Sequence, residues 1–132
     1  MLITLPIFAM TVLPILFDWN RTHVFNPAWP PHAGFHNALE ISMAFGYSLV
    51  ALWLLWMRSA EPGAGVLTAT LVSVIFWGSF FIAISVPGTL GEEGIPRILN
   101  IPLNLFIAAL MLLVTVLGFG LCRRGLRNPI QP

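Results

Sequence analysis

Residues 30–47 read P-P-H-A-G-F-H-N-A-L-E-I-S-M-A-F-G-Y. The tandem prolines close an irregular segment, and a proline at the first helical position presets φ for a helix start. His32, His36 and Glu40 follow at intervals of four, a spacing that stacks them on one face of a helix. From there to Met57 the chain is apolar enough to lie in lipid. Two imidazoles and a carboxyl at the mouth of such a span call for a reason, because an ionisable group inside a membrane marks a functional site by default.

Composition points the same way. Of 132 residues, 58% are hydrophobic and 8% charged, where a soluble domain carries about a quarter charged residues. So few charges cannot cover a water-facing surface. Four apolar stretches occur, at 2–17, about 35–57, 66–86 and 98–121. The last three are long enough for a hydrocarbon core of about 30 Å, which takes about 20 residues. The first is short and holds Pro6 and Pro14; without a basic leader or a small-x-small cleavage site it reads as a retained helix rather than a signal peptide. The expected fold is an all-α polytopic membrane protein, a four-transmembrane-helix bundle in one domain, with helices at about 2–17, 31–58, 64–86 and 97–122. A net charge of +1 leaves no basic patch for nucleic acid. The lone Cys122 excludes an internal disulfide and a thiolate cluster, and reads as a bystander at a helix end.

Two connections carry most of the polar residues. Segment 18–31 (D-W-N-R-T-H-V-F-N-P-A-W-P-P) is too rich in proline and asparagine for a helix. It is read either as a lid over the helix ends or as an interfacial belt of Trp19, Phe25 and Trp29. Segment 87–97 holds Glu92, Glu93 and Arg97. Arg58, Arg123, Arg124 and Arg127 gather at the opposite end, so the positive-inside rule places both termini in the cytoplasm, with a bacterial inner membrane as the expected location.

That topology puts Asp18, Asn20, His23, His32, His36, Asn37, Glu40, Asn100 and Asn104 at one end of the bundle, and a one-sided polar cup suits a lipophilic molecule held by its polar group. Three readings follow. In the first, His36 and Glu40 are catalytic and exchange a proton with a lipophilic substrate, as in isomerisation, hydrolysis or cyclisation. Asp18, Asn20, His23, His32, Asn37, Trp77, Asn100 and Asn104 then contact the substrate, though Trp77 equally suits helix packing. In the second, His32, His36 and Glu40 bind a metal, with His23 or Asp18 assisting; the spacing lacks a compact signature, and no motif requires a cofactor. In the third, the polar groups satisfy one another: Glu40 with Asn104 or His36, Asp18 with Arg21. The enzyme is the leading expectation. A lipid- or quinone-binding subunit, or an assembly partner in a larger complex, is the alternative, and with so little core a homo-oligomer or partner subunit is expected.

Residues 18–36 resemble the loop motif of an uncharacterised family of small four-helix membrane proteins of bacteria and fungi, roughly D-W-N-x-T-H-x-F-N-P-x-W-P-P-H-A-x-F-H. The resemblance implies that Asp18, Asn20, His23, Asn26, His32 and His36 are motif positions; Gly34 stands where a larger, often basic residue is expected. It implies the fold and the place of the site, and no activity. Membrane sterol isomerases also set His, Glu and Asn in a helical bundle, an analogy of chemistry without a shared motif.

Overall fold

The structure, a computed structural model, describes residues 1–57, 61–89 and 96–127, with the side chain of Arg127 left aside. Among these residues it is an all-α bundle of α1 (Thr4–Asp18), α2 (Pro31–Trp56), α3 (Pro62–Ser85) and α4 (Leu103–Arg127), with a small hairpin of β1 (Arg97–Ile98) and β2 (Ile101–Pro102) before α4. Three helices are long and apolar enough to cross a membrane, consistent with a membrane protein. Helix α1, with 15 residues, spans about 22 Å and falls short of a full crossing.

Helix starts follow the prolines. Pro31 opens α2 and Pro62 opens α3 at the first-turn positions, where the missing N–H removes no helical bond. No side chain caps either start. Within α1, Pro14 removes one internal bond, from its own nitrogen to the carbonyl of Met10. The fourth helix begins at Leu103 rather than at the expected 97. Arg97 and Ile98 pair antiparallel with Pro102 and Ile101, and the two turn residues, Leu99 (φ 52°) and Asn100 (φ 63°), both lie in the left-handed region. A two-residue hairpin with both φ values positive is the turn that matches strand twist. Asparagine adopts that conformation readily, whereas leucine does so under strain.

The inward faces of α2 and α3 carry mostly small residues, and many large ones lie outside. Helix α2 turns Ile41, Ala44, Ser48, Ala51 and Leu55 inward, and α3 turns Gly65, Val66, Ala69, Thr70, Ser73 and Trp77 inward. Large residues such as Leu16, Ile75 and Ile82 are 65–71% exposed. Small residues let helix backbones approach, the packing rule where lipid removes the hydrophobic drive between helices. A Cβ on Gly65 would stand 2.7 Å from the Leu54 carbonyl oxygen, and one on Gly118 would stand 2.9 Å from the Ile3 nitrogen. Those two glycines set the α2–α3 and α1–α4 spacings.

Polar groups pin the same seams. The Ser73 and Thr115 hydroxyls bond across α3 and α4 at 2.7 Å. Ser48 donates to the Ile7 carbonyl at 3.2 Å, Trp77 Nε1 to the Pro6 carbonyl at 3.1 Å, and Trp56 Nε1 to Thr4 Oγ1 at 3.2 Å. Helix α1, too short to anchor itself, is thus tied by indole and hydroxyl donors from α2 and α3. The pairings of Thr4 with Trp56 and Ile7 with Ser48 run α1 and α2 antiparallel, so the 18–30 connection lies at the far end from Trp56.

Candidate functional site

The 18–30 connection holds itself in place. Asn20 Nδ2 donates to the Phe17 carbonyl at 2.6 Å, closing the end of α1. Its Oδ1 accepts from the Thr22 backbone N–H at 2.7 Å and from the Thr22 hydroxyl at 2.6 Å. Asn26 repeats the device, donating to the Thr22 carbonyl and accepting from the Ala28 N–H, each at 2.9 Å. These are turns in which an asparagine side chain stands in for backbone. The asparagine and threonine of the motif are therefore spent on the loop's own shape.

His23 belongs to the same network. Its Nδ1 lies 2.8 Å from the Thr22 hydroxyl and its Nε2 lies 3.6 Å from an Asp18 carboxylate oxygen. Because Thr22 gives its one hydroxyl proton to Asn20, the imidazole must donate to Thr22. Asp18 thus faces His23, and Arg21, the partner the third reading gave it, has an exposed side chain. The His23 ring also meets Trp29 edge-on at 5.7 Å. The connection rests on the start of α2 at Gly34, where a Cβ would stand 2.7 Å from the Val24 carbonyl oxygen. A larger residue there would lift the loop.

On α2, His32 and His36 do meet. Their Nε2 atoms are 2.9 Å apart, with the rings at 81° and centroids 4.3 Å apart. One nitrogen carries the proton and the other accepts it, so the two rings share a single hydrogen at that contact. Phe35 packs on both, stacked on His32 at 6.2 Å and edge-on to His36 at 5.6 Å. Both imidazoles are exposed.

Glu40 departs from expectation. The acid–base reading needs it inward beside an imidazole, yet its side chain is exposed on the flank of α2. The inward positions here are Ile41 and Ala44, and one residue of offset turns a helical side chain by about 100°. No hydrogen bond or ion pair joins it to His36, Asn104 or any other described residue. The two imidazoles and Glu40 do not form a three-ligand cluster, and no group of three potential metal ligands occurs among the described residues.

The remaining candidates scatter. Asn37 faces inward, and its Oδ1 is buried with no hydrogen-bond partner. Trp77, 2% exposed, is a core residue bonded to α1, outside any substrate surface. Asn100 is an exposed hairpin turn residue. Asn104 Oδ1 accepts from the adjacent Leu105 N–H at 2.9 Å. Glu92 and Glu93 lie outside the described residues, as do Arg58 and the 128–132 terminus. The enclosed polar cup is not formed by the described candidates. A groove of about 260 Å³ lies instead between the end of α1 and α2, lined by Ile15, Trp19, Ile41, Ser42 and Phe45. It is apolar, and the Ser42 hydroxyl in it is engaged with the Ala38 carbonyl.

Sequence reasoning missed the inter-helix pins Ser48, Ser73 and Thr115. The signal was present: Ala44, Ser48 and Ala51 on α2, and Gly65, Ala69 and Ser73 on α3, recur at three- or four-residue spacing, the small-residue pattern of packed membrane helices. Thr70, Ser79 and Ser85 of α3 bond their own helix backbone, whereas Ser73 reaches across to α4.

Fold and surface define a helical bundle of the membrane type. The chain belongs to a family of unknown function (DUF6640), whose profile matches residues 2–130. No curated protein and no solved structure matches it.

Proposed function

We propose that the protein is a non-catalytic membrane subunit that assembles with another membrane chain through the outer flank of α2. The observation that carries this is the exposed Glu40. Taking Trp56 as an interfacial anchor, Glu40 stands about 24 Å further along the helix, within a hydrocarbon core of about 30 Å. A carboxyl facing lipid at that depth is costly, and such residues pair or face a bundle interior. A neighbouring helix carrying a hydrogen-bond donor at that depth relieves the cost. Glu40, Met43, Tyr47 and Val50 repeat at spacings of three and four, all exposed, which is the period of a helix-pairing seam.

In this reading the arginine-bearing end faces the cytoplasm, with both termini, and the 18–30 connection faces outward from a bacterial inner membrane. Extraction in a mild detergent followed by native electrophoresis tests assembly. The wild-type chain should migrate as a complex, and Glu40→Leu as a single chain with unchanged helix content. A wild-type protein that is already a single chain after cross-linking in its own membrane would sink the proposal.

One observation favours the acid–base enzyme as a second reading: the imidazole pair shares a proton on an exposed face of α2. A lipophilic substrate would then approach sideways, with His36 and Glu40 exchanging the proton. Loss of turnover in both Glu40→Gln and His36→Ala, with assembly intact, would choose this reading over the first.

A further inference from the structure

We infer that His32 and His36 form a clamp for one divalent first-row transition-metal ion. The two Nε2 atoms lie 2.9 Å apart. An ion about 2.05 Å from each nitrogen sets them about 2.9 Å apart at a right angle and about 3.3 Å apart at the tetrahedral angle. The pair therefore already has the bite of a square or octahedral site, and a change of about 0.4 Å reaches a tetrahedral one.

Three features make this more than a chance approach. The residues are one helical turn apart on α2, a regular helix from Pro31 onward, so the backbone fixes their separation. Phe35 lies against both rings, which limits their rotation. Both imidazoles are exposed, so an ion reaches them without opening the bundle. The proton now shared between the nitrogens is the group the ion replaces, and capture releases it.

Imidazole nitrogen suits copper, zinc and nickel, with copper(II) held tightest in the general order of divalent affinities. The helix supplies two ligands, so the other positions belong to water or to an oxygen of a bound molecule, as in an open rather than a closed structural site. This goes beyond the assembly reading, because capture uses the imidazoles of a single chain. Glu40→Leu should abolish assembly and leave capture in place, so the two proposals fail separately.

The test uses the full chain in detergent, without a polyhistidine tag, titrated with Cu²⁺ and followed by electron paramagnetic resonance. The wild type should take one ion per chain, with hyperfine coupling to two imidazole nitrogens. His32→Ala and His36→Ala should each weaken binding about a hundredfold, because the second contact of a linked pair is nearly intramolecular. His23→Gln should bind as the wild type does. Helix content by circular dichroism shows that the variants fold. Equal binding by the wild type and the His32→Ala/His36→Ala double variant overturns the inference, as does a spectrum with fewer than two nitrogens.

Discussion

The middle of this bundle and its 18–30 end treat their polar groups in opposite ways. Through the middle, hydroxyls and indoles reach from one helix to another: Ser73 to Thr115, Ser48 to Ile7, Trp77 to Pro6. At the 18–30 end, Asn20, Thr22 and Asn26 bond within a few residues of themselves, and His32, His36 and Glu40 face outward. Polar side chains used between helices hold the fold, and truncating them loosens it. Groups left on the surface add nothing to packing, so their presence in an apolar helix needs a cause outside the fold.

Substitutions in each region put that contrast at risk. The largest effect is expected for Trp77→Ala, which removes a buried ring together with its bond to α1. It should lower stability by about 3–5 kcal/mol, read from denaturant unfolding in mixed micelles, and should release α1 to proteolysis. Next comes Gly65→Leu, where the added carbon meets the Leu54 carbonyl; a loss of about 1–3 kcal/mol is expected from overpacking. Unchanged unfolding in either variant would mean that α1 and the α2–α3 seam are not the framework.

Asn26→Ala removes two local bonds at the polar end, each worth about 1 kcal/mol. The expected outcome is a loop cleaved faster by protease, with the helical unfolding transition kept. The smallest effect belongs to His36→Ala, whose exposed ring should change stability by no more than about 0.5 kcal/mol. A large loss there would place His36 in the framework and erase the distinction between the middle and the 18–30 end.

Much of this was legible in the sequence. The four helices and the proline-marked start of α2 followed from hydropathy and the Pro30-Pro31 pair, and the spacing of His32 and His36 foretold their contact, because helical geometry is local. The start of α4 was not legible: Ile98, Leu99 and Ile101 are as apolar as a helix, and only the left-handed φ of Leu99 and Asn100 turns them into a hairpin. Nor was the outward turn of Glu40.

By itself the sequence determined the class of protein and the shared face of the histidines, since composition and a period of 3.6 residues depend on nothing distant. Which side of α2 meets its neighbours was decided only when Gly65 met Leu54 and Ser48 met Ile7. A helix has one rotation about its axis, and contacts with other helices fix it. That rotation buries Ile41 and leaves Glu40, the very next residue toward the polar end, outside.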